Sequence, residues 1–281
     1  MTPIQRIIKY GAIAFGIYLC FVIISAIITG ISIIFGISTG LEIYRGYRNE
    51  ETQIISSIDE QYENIKKIDI KLDISRLKIK EGESFKLEVL NPTNRFYKTV
   101  EGSTLKLRDE RNGWFRTSEI IPEVVIYIPK DVKLDEINIK AGVNETNIEK
   151  LYAENINIEN GVGKLVINEI ITDNLDIEGG AGETKILSGK IGEVKLQAGI
   201  GNFVIKSEIQ EQAKLEAGVG NLEINLLGTK EDYKIKAETG IGNCIVNGQK
   251  VHDNQIIGDG KTDIKLEAGI GKVQVNFEKK D

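Results

Sequence analysis

Five glycines, Gly142, Gly161, Gly180, Gly199 and Gly218, recur at an unbroken spacing of nineteen residues, and each opens a closely similar segment. A fixed period of this size confines a chain to architectures in which one small unit stacks on the next, because such a unit cannot bury its apolar face alone. Within the unit, the residue four places after the glycine is Thr146, Leu165, Thr184, Phe203 or Leu222, and the residue six places after it is always isoleucine, from Ile148 to Ile224. Before the glycine, Ile139, Ile158, Ile177, Leu196 and Leu215 occupy one column, and Ile137, Ile156, Leu175, Val194 and Ala213 another. Alternation on both sides predicts two short strands per unit with inward apolar columns. The G-x-G step between them, with Val162, Ala181, Ile200 or Val219 in the middle, predicts a tight corner requiring positive φ or close backbone approach. On that basis Gly199→Val is expected to destabilise through a positive-φ clash.

The motif continues with stretched spacing at Gly240 and Gly269, and the added residues are rich in Gly, Asp and Asn, as loops are. Cys244, Val246, Val273 and Val275 keep the inward columns filled. About seven coils at roughly 4.8 Å per stacked strand make a rod of roughly 30 to 35 Å. The expected fold is all-β: a single-chain parallel β-helix, or β-solenoid, over residues 134–281 with an N-terminal β cap over 63–133. A sandwich of hairpins would need two-residue turns and would not hold column chemistry constant.

Outward positions repeat as well. Two before each glycine lie Lys140, Glu159, Glu178, Gln197, Glu216, Glu238 and Glu267, and four before lie Asn138, Asn157, Asp176, Lys195, Lys214, Lys236 and Lys265. Adjacent stripes of opposite sign offset part of the repulsion within each, as on a solvated face, so Glu216→Gln should change stability by less than about 0.5 kcal/mol. Asn202, Asn221 and Asn243, three after the glycine, are expected to form a side-chain amide ladder.

The N-terminus is of another kind. Residues 11–39 contain no charged side chain, which is long enough to cross a bilayer as one helix. A cleaved signal would have a shorter apolar core and a small-residue cleavage site. Ser32, Gly36 and Gly40 form a small-xxx-small series suited to helix pairing, so a homo-oligomer through this helix is one expected partner state. Residues 1–40 are therefore expected to be a cytoplasmic tail and membrane helix, and residues 41–62 a stalk, with the solenoid outside the cytoplasm at the cell membrane. Cys20 falls in the apolar segment and Cys244 in the core, so no intramolecular disulfide is expected. Trp114 and Phe115 are expected to pack the cap, which covers the open edge of the first coil.

Residues 65–281, from IKKIDIKLDISRLKIKEGESFKLEV through VVIYIPKDVKLDEINIKAGV to the AGIGNFVI and AGVGNLEI blocks, resemble the bacterial putative-adhesin, β-strand-repeat domain of unknown function. The resemblance implies a β-helical envelope protein, often membrane-anchored and sometimes associated with envelope-stress systems, and it carries no catalytic residues.

Composition narrows the function further. The whole chain carries −6, and Arg6 and Lys9 give residues 1–40 a charge of +2, so the remainder is −6 − 2 = −8 without a basic patch, which disfavours nucleic acid. His252 is the one histidine and sits in an insert beside Asp253 and Asn254, where a solvated loop residue is expected. No catalytic, cofactor-binding or metal site is expected: one histidine and one core cysteine do not make a zinc site, and GIGNFV and GAGETK lack the third glycine of a dinucleotide loop. The expected function is a membrane-anchored, non-catalytic binding or scaffolding module at the envelope, with a protein or glycan partner. The alternatives are an accessory of envelope-stress signalling and a carbohydrate-active β-helix enzyme, the latter requiring converging carboxylates.

Overall fold

The structure, a computed structural model, describes residues 56–109, 121–252 and 255–279. The expected membrane helix, most of the stalk, Trp114, Phe115, Asp253 and Asn254 lie outside the described residues. Among the described residues every helix or strand is a strand: β1 (Ile58–Tyr62), β2 (Lys67–Gly82), β3 (Phe85–Leu90), β4 (Phe96–Glu101), β5 (Thr104–Asp109), β6 (Glu123–Pro129), β7 (Leu134–Ile186), β8 (Gly189–Leu227), β9 (Tyr233–Val246), β10 (Gln249–Val251), β11 (Ile256–Ile257) and β12 (Thr262–Glu278). At 53 and 39 residues, β7 and β8 are far longer than ordinary strands, because each winds through successive coils and keeps its ladder pairing through the corners.

The nineteen-residue period is the stacking register. Between β7 and β8 the pairing is parallel and sets Leu175 on Val194, Ile177 on Leu196, Thr184 on Phe203 and Ile186 on Ile205. All four apolar columns are buried, from Ile137 and Ile139 to Leu222 and Ile224, and they merge into one continuous core. Two further levels extend the stack beyond the seven expected coils. β2 lies parallel to the start of β7 with Ile68 on Ile137 and Ile79 on Ile148, so a strand assigned to the cap is itself a coil. β5 and β6 then pair in parallel with the two halves of β2 and together form the next level.

Order in space departs from order in sequence at both ends. β12 pairs with β8 through Leu266 on Leu215 and Val273 on Leu222, and with β9 through Leu266 on Ala237 and Val273 on Cys244. The C-terminal strand is therefore inserted between two earlier coils, and β9 is the end coil. At the other end β2 lies between the β5–β6 level and β7, although it precedes all three in the chain.

Each end is closed by antiparallel strands. β3 and β4 cover β6 and β5, with β1 outside β3, and β10 and β11 cover the two arms of β9. The β9–β10 hairpin turns at Asn247 and Gly248, both at positive φ. Such strands blunt edges that would otherwise pair with other chains. β1 starts inside the segment expected to be stalk, and Ile58 and Tyr62 pack against the core.

The two glycines of each corner serve different constraints. The positive φ expected at the first glycine belongs instead to the second: Gly163, Gly182, Gly201, Gly220 and Gly271 have φ of 135 to 153°. At the first glycine the constraint is contact. A Cβ on Gly199 would sit 2.4 Å from the carbonyl oxygen of Gly180, and one on Gly161 2.4 Å from that of Gly142. In spatial order the column runs from Gly218 to Gly269 to Gly240, with each glycine against the carbonyl of the preceding level.

Candidate binding surface

Along each coil, the outer surface near the corner presents four columns in sequence: the charged residue two before the first glycine, that glycine, the apolar residue after it, and the polar residue three after it. The glycine column has no side chain to fill its row and leaves a shallow open trough. From Gly142 to Gly199 the trough holds about 540 Å³, walled by Lys140, Glu159, Glu178 and Gln197, with Ala141, Asn160 and Ala198 beside its floor. It continues past Gly218, Gly269 and Gly240 as a second stretch of about 450 Å³, walled by Glu216, Glu267 and Glu238.

The stripes expected from the sequence are present, and their partners are local. Lys140 is ion-paired with Glu159 one level on, Lys195 with Asp176 at 3.2 Å, and Lys214 with Glu216 on its own strand. The Lys214 ammonium holds the Glu216 carboxyl below the usual carboxylate range, and Gln197 also donates to it at 3.3 Å. Insertion of β12 stacks Glu267 between Glu216 and Glu238, and Lys265 between Lys214 and Lys236. The acid and lysine stripes thus remain continuous through the reordered coils.

The asparagine ladder is only partly as expected. Asn221 donates to Asn202 Oδ1 at 3.1 Å, but Asn243 does not follow, because Lys272 of β12 occupies the level between Asn221 and Asn243. Ladders unanticipated from the sequence form elsewhere: Asn157 to Asn138 at 2.8 Å, Asn174 to Asn155 at 3.0 Å, and Asn276 to Asn225 at 2.7 Å. At the first corners, where the second glycine is replaced by Asn144, that side chain is buried, donates to Asn160 Oδ1 at 2.8 Å and accepts from Thr146 at 3.1 Å.

The apolar column was legible only as a corner filler. In the stack it becomes a ridge: Ile74 lies on Val143, Ala181 on Ile200, and Ile270 between Val219 and Ile241. Its exposure rises toward the β9 end, to 38% at Val219, 49% at Ile270 and 69% at Ile241. The signal available in the sequence is a break in alternation, since the glycine and the residue after it both face outward. His252 is exposed, its backbone amide donating to Gln255 Oε1 at 3.2 Å, and Cys244 is buried and takes part in no disulfide. Among the described residues no group of His, Cys, Asp and Glu is arranged to hold a metal ion.

Several solved structures are similar to the chain. A putative cell adhesion protein from Clostridium sporogenes shares 15% identity over 79% of this chain and 99% of its own, with a TM-score of 0.37. A putative adhesin from Bacteroides fragilis shares 14% over 80% and 98%, with a TM-score of 0.44. A putative lipid binding protein from Parabacteroides distasonis shares 15% over 78% and 96%, with a TM-score of 0.41. No curated protein matches the chain. The Toastrack DUF4097 family matches residues 65–272, which take in β2 through most of β12 and so both reordered ends of the stack, and the chain belongs to that family.

Proposed function

We propose that this chain displays its solenoid at the cell envelope as a non-catalytic, adhesin-like binding or scaffolding module, anchored by the charge-free segment at residues 11–39. The observation that carries this reading is the surface of the stack. One open trough, walled by a charged stripe, runs from the level of Lys71 to that of Glu238. A long surface of repeated chemistry suits an extended partner such as a glycan strand or a second envelope protein, whereas small-molecule sites are concave and enclose most of the ligand. Membership of the family supports the fold that makes such a surface.

The test is binding of the full chain, kept in detergent, to purified cell-wall material and to envelope proteins from the source cells. The expected result is saturable binding that weakens at least tenfold when Glu159 and Glu178 are both changed to Lys. Absence of saturable binding to either, or release of soluble sugars from the cell wall by the chain, would count against the reading.

A further inference from the structure

We infer that the corner face of the solenoid, ridge and trough together, is a self-association surface on which a second copy of this chain packs side by side with its rod parallel to the first. Pairing covers the trough, so a second copy and the envelope partner proposed above compete for one face.

The ridge is an uninterrupted row of aliphatic side chains, Ile74, Val143, Val162, Ala181, Ile200, Val219, Ile270 and Ile241 in spatial order, and its last three members are exposed. Contiguous exposed apolar surface of this kind marks interaction sites on otherwise soluble folds. From Gly142 to Gly240 the trough lies beside the ridge, floored by the glycine immediately before each ridge residue, and Asp73 takes that place before Ile74. A face that carries a projection and a depression side by side is self-complementary about one direction: a twofold axis along the rod places each ridge in the other copy's trough.

Spacing identifies the occupant. Ridge residues recur at the strand-stacking distance, roughly 4.8 Å, so a partner can seat all of them in register only if its own features repeat at the same distance. A second solenoid of this sequence does so, and an ordinary globular surface does not.

Ridge-to-trough fit selects the parallel arrangement, and opposite charges accompany it. The column two before the glycine and the column three after it flank trough and ridge, and a twofold axis along the rod brings one against the other at the same level. Lys140 then meets Glu145, Glu159 meets Lys164, and Glu267 meets Lys272. Like signs meet at Lys71 with Arg76 and at Glu178 with Glu183, where Glu183 is already paired with Lys164 and Lys185 of its own chain. An end-matched antiparallel pairing has its twofold axis across the rod, which sets each column against itself, so ridge meets ridge, trough meets trough, and Glu159 meets Glu216.

Disulfide trapping on the full chain in detergent, with Cys20→Ser to silence the N-terminal thiol, tests the inference. Val219→Cys should form a disulfide-linked dimer under mild oxidation at least tenfold faster than Lys190→Cys, which is exposed away from the ridge. Adding Ile200→Asp and Ile270→Asp should slow that reaction at least tenfold while the melting temperature and circular dichroism stay near wild type. Equal rates at the two cysteines, or no effect of the aspartates, would overturn the interface. Preferential trapping of Val219→Cys with Val162→Cys, in a mixture of the two single variants, would overturn the parallel arrangement.

Discussion

At the scale of single residues, the two glycine columns separate two physical constraints that look alike in sequence. Gly201 has φ of 153° and a Cβ there would lie 1.8 Å from the carbonyl oxygen of Gly182, so both conformation and contact exclude a side chain. Gly201→Ala should therefore cost at least about 3 kcal/mol, an exceptional loss that still has a named cause. Gly199→Val should also destabilise severely, by contact with the Gly180 carbonyl rather than through φ. A thermal melt of either variant within a degree of wild type would refute the corner geometry. Glu216 gives the opposite expectation. Its carboxylate is solvent-facing and paired within its own strand, so Glu216→Gln should shift stability by less than about 0.5 kcal/mol, as urea titration would show. Tyr233 is fully buried, donates to the Leu227 carbonyl at 2.7 Å and stacks on Phe277 at 6.2 Å between ring centroids. Burial pushes its hydroxyl up to about 12. A pKa raised on folding contributes stability that is complete below the unfolded value near 10 and lost as pH rises through the folded one. Wild type should accordingly lose stability relative to Tyr233→Phe between about pH 10 and 12. Parallel alkaline melting curves for the two proteins would contradict this.

At the scale of elements, the inserted strand β12 has the largest consequence. It is the last of the described strands, yet it has a coil on each side, whereas β9 faces short capping strands on one of its edges. Amide exchange reports the free energy of local opening, and edge elements open first. Leu266 and Val273 should exchange at least a hundredfold more slowly than Ala237 and Cys244. Faster exchange in β12 than in β9 would refute the insertion. The stacked columns themselves were legible because inward alternation and a constant period state the register directly, as at Ile177 and Leu196. The insertion was not, because local pattern carries no information on which of two equivalent coils lies nearer a third. Only spacing hints at it. Tyr233 follows Leu227 after a short link that must climb past a level, and the longer excess before Gly269 makes the β10–β11 cover and returns. The same ambiguity hid β2 in the cap, where Asp73 takes the place of the corner glycine. It also led Asn243 to be placed next to Asn221. The ridge escaped notice for a different reason: an isolated Val or Ile in a corner is unremarkable, and only stacking makes it a surface.

At the scale of the whole molecule, one ordered stack keeps its outer columns continuous although the chain visits the coils out of order. The acid stripe shows this most clearly, since Glu267 lies between Glu216 and Glu238 in space while following both in sequence. Disulfide trapping within one chain reads that order directly, because a disulfide requires Cα atoms within about 7 Å and levels two apart are separated by roughly 9.6 Å. In chains carrying Cys20→Ser, the pair Glu216→Cys and Glu267→Cys should close rapidly to an intramolecular disulfide on mild oxidation, identified by peptide mass mapping. The pair Glu216→Cys and Glu238→Cys should stay reduced under the same conditions. Closure of the 216–238 pair with the 216–267 pair left open would mean that the coils stack in sequence order, and would contradict the account.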